Sequence, residues 1–154
     1  FAASLQPLVE AAAPGNIRIS VENTVFVSPD ELNQLFASLN ATDWYRPGSV
    51  GVCFDMGHAN LCGATRYDYV GFLKSLSPEV PIIHLHVHEN WGDGDSHLPL
   101  FTGPAAQDDT GVRTMLSLLK ARGYDGVIIM EQWPQPADQL THTRNRLRDL
   151  LCSL

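Results

Sequence analysis

VGVCFD at residues 50–55 and IIHLHVHE at residues 82–89 decide the fold once their side chains are taken alternately. In a strand, successive side chains point to opposite faces. Counting back from the strand ends puts Asp55, Cys53 and Gly51 with His86 and His84 on one face, and Phe54 and Val52 with Val87, Leu85 and Ile83 on the other. Two further stretches repeat the pattern. IRISVE (17–22) sets Glu22, Ser20 and Arg18 against Val21 and Ile19, and GVIIME (126–131) sets Glu131 and Ile129 against Met130 and Ile128. One face is apolar throughout, as a sheet covered by helices requires, while the other turns ionisable toward its C-terminal end.

Helical stretches separate these strands. Leu5, Leu8, Val9 and the alanines at 11–13 form a stripe that stops at Pro14-Gly15. Ser28-Pro29-Asp30-Glu31 supplies an N-cap serine, a first-turn proline and a capping-box glutamate for a helix running to about Leu39. Further helices are expected over roughly 66–75, over about 111–122 with Gly123 as the cap, and from Pro136 to Leu151. The stretch from about 90 to 110 is rich in Gly, Asp and Pro; a loop of that length is usually functional or disordered. It is expected to be mobile when free and to close over a substrate.

Strand and helix alternate four times without a hairpin signal, so the sheet should be parallel with right-handed crossovers. A doubly wound sheet would bury both faces and read as continuous apolar runs. The one-sided polarity instead fits the lumen of a (β/α)8 TIM barrel opening into a site at its C-terminal rim. The fold class is therefore α/β, with about four β/α units in a single domain over residues 1–154, half of such a barrel.

Composition agrees with a soluble globular domain: the 154 residues are 44% hydrophobic and 18% charged. Ten Lys+Arg against seventeen Asp+Glu, a net charge of -7, is the wrong balance for neutralising phosphates, so no nucleic-acid partner is expected. No apolar run reaches the roughly 20 residues of a membrane span, and the N-terminus lacks the basic-then-apolar pattern of a signal peptide. Cys53, Cys62 and Cys152 are odd in number and not tightly spaced, which suggests a reduced, cytoplasmic protein. The chain starts at Phe1, inside a helical stripe and without methionine, as a piece of a longer protein would.

Glu22, Asp55, His86 and Glu131 end four successive parallel strands, so folding should gather three carboxylates and an imidazole at one rim. Uncompensated, those charges repel. A divalent cation resolves the conflict, and this O/N donor set suits Mn2+, Mg2+, Co2+ or Zn2+. Any one of these acids, taken singly, could equally cap a helix or meet a surface lysine. His84 and His88 share a face with His86, and spacing alone leaves either open as the ligand, although His84 lies deeper. His58, three residues after Asp55, falls in a strand-to-helix loop within reach of metal or substrate. Asp95 and His97 of the long loop could bind substrate or a second metal. Trp91 and Trp133 could wall a pocket or pack against the rim. Cys53 suits a buried thiol better than a nucleophile. There is no Gly-rich phosphate loop, HExxH, CxxC or GxSxG.

VENT (21–24), FDMGHAN (54–60), HVHEN (86–90) followed by DSHLPL (95–100), and EQW (131–133) together resemble the C-terminal half of the xylose isomerase-like, AP endonuclease family 2 type of TIM barrel. The nearest flavour is that of sugar phosphate isomerases/epimerases and ketose 3-epimerases. The resemblance implies Glu22, Asp55, His86 and Glu131 as metal ligands, His58 as a substrate-contacting histidine, and Asp95 and His97 as the Asp-x-His of the loop; with Trp91 and Trp133 as pocket walls, these make the expected substrate-binding set. It also implies a metal-dependent isomerase or epimerase of a sugar, sugar phosphate or keto-acid, with Glu22 and Glu131 moving a proton next to a carbonyl. Two sites depart from the family pattern: Glu89-Asn90 replaces Asp-Asn, and Phe101 stands where a glycine would give backbone freedom. Two alternatives remain, an AP endonuclease-like zinc phosphodiesterase using His58, Asp95 and His97 as extra ligands, and a catalytically incomplete half-barrel. The open strand edges call for an N-terminal half or a second copy of the chain to cover them.

Overall fold

The computed structural model describes residues 2–65 and 68–154. Its parallel sheet runs β1 (Ile19–Glu22), β2 (Val50–Asp55), β3 (Ile82–Val87), β4 (Val127–Met130), in that spatial order, so each strand pairs with its sequence neighbour. α1 (Ala2–Ala12) precedes the sheet, the crossovers carry α2 (Pro29–Asn40), α3 (Met56–Leu61), α4 (Tyr69–Ser75) and α5 (Thr110–Ala121), and α6 (Ala137–Ser153) follows β4. This is an α/β arrangement of four consecutive β/α units, the architecture of a partial TIM barrel. No helix of the described residues is long and apolar enough to cross a membrane.

Local chemistry sets the helix boundaries. The Ser28 side chain accepts from the Glu31 N–H and the Glu31 carboxylate accepts from the Ser28 N–H, closing the capping box that starts α2. Gly123, at φ 74°, turns the chain out of α5. Arg122 donates to the carbonyls of Leu76, Ser77 and Val80, satisfying acceptors left open just past the end of α4. The core lies between sheet and helices, where Phe36, Phe54, Phe72, Leu85 and Met115 are fully buried.

Register places Ser20 beside Gly51, Glu22 and His84 beside Cys53, and His86 between Asp55 and Ile129, all on one face. The ionisable face is thus as expected, with one correction to the apolar face. A register shift between Val52 and Cys53 makes Ile82, not Ile83, the residue that packs against the helices. Ile83 instead lies over Gly51, where a Cβ would come within 2.5 Å of Ile83 Cγ2.

Other boundaries shift as well. FDMGHAN continues directly into α3, so His58 is helical rather than in a loop, because Asp55 caps that helix by accepting from the His58 N–H. The helix expected over 66–75 is described from Tyr69; positions 66 and 67 lie outside the described residues. The long stretch after β3 is partly built: Glu89 and Leu98 form an antiparallel bridge, and Pro104–Ala106 form a 3-10 turn.

Gly51→Ala is expected to destabilise the protein by about 1–3 kcal/mol through overpacking against Ile83. Gly63→Ala, where an added Cβ meets nothing within 4 Å, should stay within about 0.5 kcal/mol. Denaturant unfolding of both variants checks the comparison.

Candidate metal centre

Asp55 is the fixed point of the rim. It is fully buried at the end of β2, and its carboxylate accepts from His88 Nε2 at 3.0 and 3.2 Å and from the His58 N–H at 2.7 Å. Asn23 clamps the same residue from β1: its Nδ2 donates to the Asp55 carbonyl at 2.9 Å and its Oδ1 accepts from the Asp55 N–H at 2.8 Å. Burial alone would push the Asp55 carboxyl upward; the bond and charge of His88, with the His58 N–H and ring, hold it below its ordinary value.

Around Asp55 stand the other three residues expected at the rim. Ligand atoms of Glu22, Asp55, His86 and Glu131 all lie within 4.8 Å of one another. His86 Nδ1 is 2.8 Å from Glu131 Oε2 and 3.6 Å from both Glu22 Oε1 and Asp55 Oδ2. His86 Nδ1 and Glu131 Oε2 are buried, and despite their closeness the angles make no hydrogen bond, so both atoms are left without a partner. Glu131 lies just past β4 yet continues its ladder, donating its N–H to the Val87 carbonyl. Two polar atoms orphaned face to face, with two further carboxylates aimed at the same place, fit a cation's ligand set. The residues present therefore suit the divalent ion that the donor chemistry implies.

A second group adjoins the first: ligand atoms of His58, His88, Asp95 and His97 also lie within 4.8 Å of one another. His58 Nδ1 faces the Asn23 carbonyl at 3.1 Å and Glu22 Oε1 at 3.2 Å, both acceptors, so that nitrogen carries the proton. His97 Nδ1 likewise donates to the Glu131 carbonyl at 2.7 Å. The Nε2 atoms of both rings then point at Asp95 Oδ2, each at 3.2 Å. Burial lowers the His97 pKa, but the Glu131 carbonyl and the Asp95 carboxylate outweigh it and raise it above its ordinary value. His88 is stacked on His97, ring centroids 3.9 Å apart and 8° from parallel. Its full burial and its bond to Asp55 make it a support for the rim, a role that the spacing of HLHVH left open.

The loop after β3 is anchored by a residue that departs from the family pattern. The Glu89 carboxylate, nearly fully buried, accepts from the N–H groups of Thr102, Gly103 and Ala105 at 3.1, 3.2 and 2.6 Å. Phe101 takes the left-handed conformation, φ 68°, without being glycine, and packs under Arg146 with the guanidinium 4.2 Å from its ring centre. Asn90 donates to the Gly57 carbonyl and accepts from Asn60, tying the loop to α3. The expectation of a mobile stretch over all of 90–110 therefore narrows to about 91–97, since Leu98, Leu100, Phe101 and Ala105 are bridged or buried.

The two tryptophans part company. Trp133 is exposed beside the rim, its ring 5.9 Å from that of His97, and lines a cleft of about 240 Å3 with His97, Glu131 and Gln132. Trp91 lines a different cavity of about 280 Å3, with Met56, Asn60 and Tyr69. Cys53 lies on the rim face beneath the acids; burial first, then the charges of Glu22, Asp55 and Glu131, push its thiol up to about 12. In the metal-free protein that keeps it protonated and unsuited to nucleophilic attack. Asn23 and Glu89 are the supporting residues that sequence reasoning missed or underrated. Asn23 carried a signal, standing next to Glu22 in VENT.

Over residues 1–150 the chain matches the family described as xylose isomerase-like TIM barrel. It is 31% identical over 134 residues to an uncharacterized protein of Methanocaldococcus jannaschii, covering 83% of this chain and 41% of that protein. An uncharacterized protein of Sinorhizobium fredii is 34% identical over 89 residues, 57% of this chain and 26% of that one. The chain thus spans less than half the length of these curated relatives. A crystal structure described as a D-tagatose 3-epimerase-like protein superposes with a TM-score of 0.72 at 28% identity, over 97% of this chain and 52% of that one.

Three outcomes are expected of metal-free protein. The folded Asp55 carboxyl titrates below its ordinary value of 3.8, so its contribution to stability is present above that pH and is lost as pH falls through the lower folded value. Asp55→Asn should therefore flatten the acid limb of a stability-against-pH curve below about pH 4. Limited proteolysis should cut within about 91–97 and spare 98–105. Glu89→Gln, which replaces a charged acceptor of three N–H groups, should open 98–105 to cleavage and lower stability by about 2 kcal/mol.

Proposed function

Because the chain belongs to the xylose isomerase-like TIM barrel family, we propose that it forms the metal-binding rim of a sugar isomerase or epimerase. The substrate class is a ketose, sugar phosphate or keto-acid, and the reaction a proton transfer next to a carbonyl. The observation that carries this reading is the orphaned pair, His86 Nδ1 and Glu131 Oε2, 2.8 Å apart with Glu22 and Asp55 converging on them. The epimerase-like fold neighbour supports the reaction class.

Glu22, Asp55, His86 and Glu131 would hold the ion, and their hard oxygens with one imidazole suit Mn2+, Mg2+, Co2+ or Zn2+. When bound, such an ion supplies Lewis-acid polarisation of a carbonyl and its neighbouring hydroxyl, worth several kcal/mol. The chain's own residues handle the proton. Glu22 and Glu131 enter from the two end strands of the sheet, so one carboxylate takes the proton from carbon while the other returns it. His58, Asp95 and His97 orient substrate hydroxyls, and Trp133 walls the cleft against water. Trp91, in its separate cavity, contributes only through a longer substrate. Val127 and Ile129, exposed on the rim face of edge strand β4, mark where the strands of an N-terminal half or of a second copy would close the barrel. The free thiols are compatible with a cytoplasmic location.

One observation favours a second reading. The Nδ1 atoms of His58 and His97 face backbone carbonyls, while both Nε2 atoms converge on the Asp95 carboxylate at 3.2 Å with His88 beside them, a grouping that suits a further cation. That site would suit a phosphodiesterase using more than one metal.

Calorimetric titration of the intact protein with Mn2+ should give one tight equivalent, weakened at least about tenfold in Glu131→Gln. With a ketose in deuterated water, exchange at the carbon next to the carbonyl should fall roughly 10²–10⁴-fold in Glu22→Gln and in Glu131→Gln. Unchanged Mn2+ affinity in Glu131→Gln would overturn the ligand set. Two or more equivalents, with loss of one in Asp95→Asn, would favour the second reading.

A further inference from the structure

Below the acid rim, on the same face, the side chains change from hard to soft donors. Cys53 and His84 are direct partners across β2 and β3, which brings their side chains together on that face. His84 and His86, two residues apart in β3, share it as well, with ring centroids 5.1 Å apart in an edge-on arrangement. One ligand atom from each of Cys53, His84 and His86 lies within 4.8 Å of the other two. The thiol is almost completely buried, so water does not compete for this sulfur as it does for an exposed thiol.

We propose that Cys53, His84 and His86 form a second, thiolate-containing site for a soft dication of the zinc or cadmium type, distinct from the oxygen-rich site above it and sharing His86 with it. One sulfur and two imidazoles are a donor set that selects soft or borderline ions over Mg2+ or Mn2+. Three protein ligands leave a fourth position for water, as in open zinc sites. On binding, the Cys53 S–H bond breaks, the proton passes to water, and the freed sulfur electron pair bonds to the dication; no oxidation or reduction is involved. Glu22, Asp55 and Glu131 stand just above and draw any cation toward this face of the sheet. Because His86 belongs to both groups, an ion seated on Cys53 and His84 takes a ligand from the oxygen-rich set, so a soft ion here competes with occupancy of the site above.

The test is titration of the intact protein, in a Cys152→Ser background that removes the exposed thiol, with Cd2+ followed by sulfur-to-metal charge-transfer absorption in the ultraviolet. One equivalent of the band is expected. It should vanish in Cys53→Ser and persist in the Glu22→Gln, Glu131→Gln double variant, which removes the oxygen-rich site alone. His84→Gln should weaken Cd2+ binding by at least about tenfold, because even an outer-shell partner is worth roughly 10–100-fold. This second variant carries the test if Cys53→Ser does not fold by circular dichroism. Absence of the band, its survival in Cys53→Ser through Cys62, full affinity in His84→Gln, or its loss with the two glutamates would each overturn the proposal. Failure of the oxygen-rich site would show instead as absent Mn2+ binding with the Cd2+ band intact.

Discussion

A carboxylate buried to the last atom at the end of a central strand is the constraint around which this sheet and its rim are organised. Asp55 cannot be left without partners, because a bare buried charge is far costlier than any single hydrogen bond repays. The surrounding elements supply those partners: Asn23 from the end of β1, the His58 N–H from the first turn of α3, and His88 from just past β3. Each partner also does a second task. Asn23 binds the ends of β1 and β2 together, His58 reaches Glu22 and Asp95, and His88 stacks on His97. Positioning one anion thus positions most of the rim.

Fold polarity then follows from parallel topology. Every strand ends on the same side, so residues at equivalent positions in four distant stretches arrive at one edge, and the helices cover the opposite face. A charged set assembled in this way is stable only if something answers its repulsion. Histidines answer part of it; the unpaired His86 Nδ1 and Glu131 Oε2 are what they leave over. The same face becomes softer with depth, from Glu22, Asp55 and Glu131 to Cys53 and His84, so the wall grades from oxygen toward sulfur and nitrogen donors within two residues of strand.

The long segment after β3 makes a similar trade. Glu89 collects three N–H groups of a turn that contains a left-handed phenylalanine, and Arg146 closes over that ring. A residue other than glycine in this conformation costs of order 1 kcal/mol or more, offset here by charge-assisted bonds and a buried aromatic. The turn holds Leu98 against Glu89, and that bridge sets where His97 and Asp95 stand relative to the rim.

The sequence by itself was enough for the element order, the parallel sense, the one-sided polarity and the four rim residues, because these depend on period-two alternation and on strand ends, which are local. The capping box at Ser28 and the turn at Gly123 were legible for the same reason. What only the tertiary structure decided were matters set by neighbours distant in the chain. The register shift at Val52 that exchanges Ile83 for Ile82 arises where β2 meets β3. His88 proves to be a buried support of the acid rim because its Nε2 donates to Asp55, thirty-three residues away. Trp91 and Trp133 look alike in sequence, each shortly after a strand, yet they face different clefts because the chain turns differently beyond β3 and beyond β4. Alternation tells which face a side chain takes; only the packed chain tells what meets it there.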